Sequence, residues 1–112
     1  MKQILQKMFL FLSKAIKNFL YGEIKEDIKE LNNELKYTRK ELYLSEKDNL
    51  RYKILSFASS LRRNELHTTQ EFETIFHFHD KYEALIEKLG EKNGFTHSEF
   101  LYIREKYEEL RK

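Results

Sequence analysis

The chain has 112 residues, of which 36% are charged, and it contains no cysteine and no proline. The absence of cysteine excludes disulfides and thiolate zinc sites, and it fits a cytoplasmic location. Because leucine, glutamate and lysine dominate and there are only 3 glycines, the composition predicts an all-α protein.

The net charge of +2 is unevenly distributed along the chain. Residues 1–22 contain 4 lysines and no acidic residue, whereas residues 23–50 contain 6 basic and 8 acidic residues, and residues 51–112 contain 11 of each. The positive excess is therefore confined to the N-terminal segment. A uniformly basic nucleic-acid-binding protein would not show this division.

Residues 1–21 have the pattern of an amphipathic, basic helix. At about 100° per residue, most of the apolar side chains fall within one arc roughly 140° wide, and the lysines lie outside it. We predict that this helix is a docking element for a membrane or a protein partner. The candidate docking residues are Ile4, Leu5, Met8, Phe11, Leu12, Ile16, Phe19, Lys7, Lys14 and Lys17.

The sequence argues against two other interpretations of this helix, a transmembrane span and a signal peptide. A transmembrane span needs about 20 largely apolar residues, and each lysine near the bilayer centre would cost about 3 kcal/mol. A signal peptide needs an uninterrupted apolar core followed by small residues, and Lys14 and Lys17 break that core. Two kinds of occupant stay open: an anionic membrane surface, to which each lysine would contribute about 1 kcal/mol, and a groove on another protein or on a second copy of this chain.

Residues 23–49 have the heptad spacing of a coiled-coil segment. Apolar residues alternate in steps of four and three, and the seam becomes polar at Thr38, Ser45 and Asn49. Because so narrow a stripe is marginal in a single helix, this segment should either pair with a second copy or fold back on its own chain, and we favour a parallel homodimer. The predicted dimerisation residues are Ile24, Ile28, Leu31, Leu35 and Leu42.

Residues 50–112 are predicted to form a compact C-terminal domain of three helices around an aromatic core. The first helix should end near Arg62–Asn64, and Thr68 with Glu71 forms a capping box for the second, which Gly90 should terminate. A second capping box is predicted from Thr96 to Glu99, with Phe95 packing on Phe100 as a hydrophobic staple. The expected fold is thus all-α: an N-terminal amphipathic helix and a coiled-coil stalk, followed by a compact three-helix unit.

The chain offers no catalytic signature, so we expect a non-enzymatic protein. No glycine-rich phosphate loop and no nucleophile elbow is present. His77 and His79 point about 200° apart on a helix and cannot share an ion. His79 and Glu83 do share a face, but two ligands do not make a zinc site, so no metal and no cofactor are expected.

Nucleic acid is not expected as a partner either. The local basic cluster outside the N-terminus contains Arg62 and Arg63, the candidate contacts if nucleic acid were bound. The last predicted helix, where a recognition helix would lie, is acidic through Glu99, Glu105 and neighbouring glutamates. Binding driven by counterion release needs several cations on one surface.

The order of basic anchor, coiled coil and small helical domain resembles small membrane-associated coiled-coil proteins of Gram-positive phages, which organise DNA replication at the membrane. The local similarity lies in the run Leu66-His67-Thr68-Thr69-Gln70-Glu71-Phe72, followed by Tyr82, Leu85, Leu89-Gly90 and Asn93-Gly94. Those phage proteins resemble single-span membrane proteins, whereas residues 1–21 are predicted to lie on a membrane surface without crossing it. The resemblance implies a mobile-element origin more than it implies DNA binding.

Together these features predict a phage or mobile-element scaffold or adaptor that docks through residues 1–21 and dimerises through residues 24–49. Its expected location is the cytoplasm, including the inner face of the cell membrane. Two alternatives stay open: a small phage-encoded inhibitor whose N-terminal helix binds a groove on a host defence protein, and a membrane-active effector.

Overall fold

A computed structural model covers residues 1–112 and contains three helices and no strand. They are α1 (Lys2–Arg62), α2 (Thr69–Leu89) and α3 (Phe95–Arg111). The predicted all-α class is confirmed.

The segments predicted as docking helix, coiled coil and first helix of the C-terminal domain are joined in α1. The helix passes through Gly22 and Asn49 without interruption. A glycine in a helix interior costs about 1 kcal/mol relative to alanine, which does not by itself break a helix. The three-helix unit predicted for residues 50–112 therefore consists of the end of α1 with α2 and α3.

The chain divides into two compact units, residues 1–39 and residues 40–112, hereafter the N-terminal unit and the C-terminal unit. The C-terminal unit begins earlier than the predicted residue 50. Tyr43 packs against its core, and Lys88 lies over the Tyr43 ring at 5.2 Å. Lys47 Nζ also donates to Glu91 Oε2 at 2.8 Å, so the turn before the first buried leucine already takes part in tertiary contacts.

The core of the C-terminal unit is built from one face of each helix. The α1 residues recur at the four- and three-residue intervals that place side chains on one helical face. Phe72 and Phe57 meet edge-to-face with ring centroids 5.0 Å apart, in a geometry that aromatic pairs favour. The buried apolar residues are Leu50, Ile54, Phe57, Ala58, Leu61, Phe72, Ile75, Tyr82, Leu85, Ile86, Phe100 and Ile103.

Two left-handed residues end α1 and α2 in the same way. Asn64 has φ 64° and Gly90 has φ 68°. In each case the next amide reaches back to a carbonyl of the last turn, from Glu65 to Ser60 and from Glu91 to Ile86. These are Schellman motifs, and the predicted helix ends near Arg62–Asn64 and at Gly90 are confirmed.

The start of α2 is also confirmed. The Thr68 side chain accepts a hydrogen bond from the Glu71 amide at 3.1 Å, and the Glu71 carboxylate returns the contact to the Thr68 backbone. This reciprocal pair satisfies two amides that the first helical turn would otherwise leave unpaired.

The predicted second capping box is wrong. Helix α3 already begins at Phe95, after Gly94, and no side chain caps it. Thr96 is instead buried and accepts a hydrogen bond from Tyr82 Oη at 3.3 Å, while Glu99 binds Arg62. The predicted staple fails as well, because Phe95 is exposed. The Thr96 and Glu99 side chains therefore make contacts between helices instead of capping α3.

Candidate functional site

Every apolar residue predicted to dock is exposed in the N-terminal unit. The exposed fractions of Ile4, Leu5, Met8, Phe11, Leu12, Ile16 and Phe19 lie between 55% and 74%. An isolated chain thus leaves a continuous apolar stripe on α1 without a partner. Large exposed apolar patches of this kind mark interaction sites.

The exposed stripe is wider than the predicted arc. Phe9 and Leu20 lie at its edge at about 100° per residue and are exposed too. Leu10 and Tyr21 are also exposed, but they lie on the opposite side of the helix. We call the stripe formed by the seven predicted apolar residues together with Phe9 the docking face. The predicted set omitted Phe9 because it falls just outside the arc.

The lysines are not equivalent around the docking face. At about 100° per residue, Lys7 and Lys14 lie on one flank and Lys2 lies on the other, whereas Lys17 lies nearly opposite the centre of the stripe. Lysines on the flanks can extend their ammonium groups to a phosphate layer while their methylene stems cover apolar surface. This arrangement suits an anionic surface better than an uncharged groove.

The predicted dimerisation residues form a second exposed stripe, hereafter the seam. Ile24, Ile28, Leu31, Leu35 and Leu42 are between 51% and 62% exposed. In the N-terminal unit the seam is rotated by about 140° around the helix from the docking face. One face can therefore be covered while the other stays free.

Arg62 and Arg63, the candidate nucleic-acid contacts, are both engaged within the C-terminal unit. Arg62 Nη2 donates to Glu99 Oε1 at 3.1 Å, and its guanidinium lies 4.3 Å from the centre of the Tyr102 ring. Arg63 Nε donates to Glu65 Oε1 at 3.2 Å. Arg62 therefore links α1 to α3, a contact between residues that are far apart in the sequence.

A polar cluster that the sequence did not assemble lies where α2 meets the start of α3. His79 and Glu83 are one turn apart on α2, and α3 brings His97 to the same place. Nε2 of His79 lies 3.4 Å and Nδ1 of His97 lies 3.8 Å from Oε1 of Glu83. The His79 side chain is only 5% exposed, and its ring stacks on Phe100 with centroids 3.5 Å apart.

Burial controls the protonation of His79. Desolvation lowers the pKa of His79, and the Glu83 carboxylate opposes the effect only in part. Coulombic interactions with His97 and Arg104 add to the lowering of the His79 pKa. Neutral His79 therefore offers a lone pair, and that is the form in which imidazole binds metals.

None of the three helices includes a stretch that is long and apolar enough to cross a membrane. In comparisons with known proteins, no family model, no curated protein and no solved structure matches this chain. The resemblance to phage proteins accordingly stays a prediction.

Proposed function

We propose that the protein is a non-enzymatic scaffold or adaptor that docks on an anionic membrane surface through the docking face. The C-terminal unit would then be held at that surface as a binding module. One observation carries the proposal: an exposed apolar stripe flanked by lysines, in a segment of 22 residues without a single acidic side chain. A mobile-element origin and a location at the inner face of the cell membrane belong to the same proposal.

Energetics support a lipid occupant. The N-terminal unit buries none of its large apolar side chains, so in water its helix depends on intrinsic propensity, which is marginal for isolated helices. Burial of a leucine- or phenylalanine-sized side chain contributes about 1.5–3 kcal/mol, and each lysine near an anionic surface contributes about 1 kcal/mol. Eight apolar positions and three flanking lysines are more than sufficient for reversible binding.

Dimerisation through the seam would add a second docking face and therefore avidity. Because seam and docking face are about 140° apart, the relative direction of two chains matters. In a parallel pair with its two-fold axis along the helices, the two docking faces point to opposite sides. In an antiparallel pair with the two-fold axis perpendicular to them, both point to the same side. Docking of both copies on one flat bilayer thus favours the antiparallel pair, unlike the parallel one predicted from the heptads.

Co-sedimentation of the full chain with vesicles tests the docking proposal. We expect binding to vesicles of phosphatidylglycerol and phosphatidylcholine, and much weaker binding to phosphatidylcholine alone. The double substitution Phe11→Glu with Leu12→Glu should abolish binding, since it places charge at the centre of the docking face. Leu10→Glu is the matched control, because Leu10 is equally exposed but lies on the other side of the helix.

The lysines provide a second readout with its own control. Lys7→Gln with Lys14→Gln should weaken binding by more than about tenfold, at about 1 kcal/mol for each flanking lysine. Lys17→Gln is the control and should weaken binding less than Lys7→Gln alone or Lys14→Gln alone. Equal sedimentation with and without anionic lipid for the parent chain would overturn the membrane proposal. It would favour a protein groove as the occupant, as expected of a small inhibitor.

A further inference from the structure

Three side chains in the C-terminal unit converge as a set of metal ligands. They are His79 and Glu83 on α2 and His97 in the first turn of α3, and one ligand atom from each lies within 4.8 Å of the other two. His79 and Glu83 are four residues apart and thus share a helical face. The turn after Gly90 brings α3 back along α2, which adds the third ligand.

The distances fit a tetrahedral ion. Zinc binds histidine nitrogen and carboxylate oxygen at about 2.0–2.2 Å, so neighbouring ligands of a tetrahedral site are about 3.3–3.5 Å apart. The Glu83 oxygen lies 3.4 Å from Nε2 of His79 and 3.8 Å from Nδ1 of His97. The Glu83 and His97 side chains are both about half exposed, so they have room to move closer together.

The buried histidine supplies an independent sign of a missing ligand. Nε2 of His79 is inaccessible to solvent and has no hydrogen-bond partner, although Glu83 lies close to it. Nδ1 of His97 is likewise buried without a partner. Buried polar atoms are nearly always paired. Two unpaired nitrogens beside one carboxylate therefore indicate a missing group that would accept the lone pairs of both. A divalent metal ion is such an acceptor.

We infer that His79, Glu83 and His97 form a zinc-binding site that joins α2 to the uncapped start of α3. Two imidazoles and one carboxylate match the borderline character of Zn²⁺, whereas Mg²⁺ and Ca²⁺ prefer oxygen ligands. The fourth position would be taken by water. Asn93 Nδ2 lies 3.4 Å from Glu83 Oε1 and donates to it, so the loop before α3 helps to orient the carboxylate.

This site would act on stability rather than on docking. The ligands come from two helices and are brought together only by folding, so metal binding stabilises the folded C-terminal unit. None of the three ligands belongs to the N-terminal unit. Zinc binding is therefore independent of membrane docking and can be tested separately from it.

Titration of the metal-free full chain with ZnCl₂ tests the inference by calorimetry and thermal unfolding. We expect one Zn²⁺ per chain and a rise in the unfolding temperature with Zn²⁺ but not with Mg²⁺. His97→Gln and Glu83→Gln should each raise the dissociation constant for Zn²⁺ at least about tenfold and abolish the thermal shift. Both side chains are about half exposed, so the metal-free variants should fold, as far-ultraviolet circular dichroism will show.

His77→Gln is the matched control, because His77 is an exposed histidine of the same helix that points away from the cluster. This variant should bind Zn²⁺ like the parent chain. The inference is overturned if the parent chain binds no Zn²⁺. It is also overturned if the His97→Gln variant binds as tightly as the His77→Gln variant.

Discussion

The N-terminal and C-terminal units are both helical and both amphipathic, yet only one of them has an interior. In the C-terminal unit the apolar faces of three helices cover one another, and Ile54 and Ile103 have no exposed surface. In the N-terminal unit the stripe from Ile4 to Phe19 has nothing to cover it. Amphipathicity therefore predicts that a helix face is buried but not what covers it, which can be the same chain, a copy of it or a membrane.

Truncation of a core side chain should separate the two units most strongly. Ile54→Ala should lower the free energy of unfolding of the C-terminal unit by about 2–5 kcal/mol, because it leaves a cavity in a packed core. Ile16→Ala removes the same atoms from an exposed position of the same helix and should change it by less than about 0.5 kcal/mol. Urea unfolding followed by near-ultraviolet circular dichroism measures both. Equal losses would contradict the division into an ordered core and an uncovered helix.

The seam offers the next largest effect. Leu31→Glu with Leu35→Glu should raise the dissociation constant of the proposed dimer at least about tenfold, since it would bury unpaired charges in the interface. Tyr37→Glu is the control, because Tyr37 is exposed but lies away from the seam. Sedimentation equilibrium over a range of concentrations provides the measurement. A parent chain that stays monomeric at every concentration would end the dimer proposal.

The capping box should contribute less. Thr68→Ala removes the side-chain acceptor of the Glu71 amide and should destabilise the C-terminal unit by about 1 kcal/mol. Thr69→Ala, one residue later in the first helical turn, should cost less than about 0.5 kcal/mol. Urea unfolding of the two variants tests this difference. Equal values would mean that the Thr68 bond contributes nothing net.

The buried histidine gives the smallest predicted effect, a dependence of stability on pH. Since the pKa of His79 is lowered in the fold, the unfolded chain binds more protons in the window below pH 6.5, where free histidine titrates. The stability that neutral His79 contributes is therefore complete above that window and is lost as the pH falls toward the lowered pKa of His79. Glu83 and Asp80 face His79 and weaken the effect, whereas His97 and Arg104 strengthen it.

Metal-free urea unfolding at about pH 7.5 and about pH 5.5 measures this dependence. We expect lower stability at the lower pH for the parent chain and for His77→Gln. The pKa of Glu71 is also lowered, but it affects stability only below about pH 4.5, which is below both test values. Stability that rises as the pH falls between those two values would contradict the burial of neutral His79.

The sequence was sufficient wherever the signal is local. Thr68 with Glu71, the helix end at Gly90 and the periodic core residues from Leu50 to Leu61 all act through neighbours within a turn or two. These signals predicted the all-α class and most helix ends.

Contacts between distant residues could not be predicted in this way. Thr96 and Glu99 have capping-box spacing, but their contacts with Tyr82 and Arg62 outweigh it. Likewise, the approach of His97 to His79 depends on how α3 returns along α2. The i, i+4 pair of His79 and Glu83 was the available signal for that cluster, and it lacked the third ligand that only the fold provides.

Hydrogen exchange of the full chain, with and without anionic vesicles, tests the central comparison most directly. We predict that amides of residues 50–61 are protected in both conditions, whereas amides of residues 4–19 exchange rapidly in buffer and become protected when vesicles are added. Either of two results would contradict this prediction: strong protection of residues 4–19 in buffer alone, or no gain in their protection at saturating vesicle concentration.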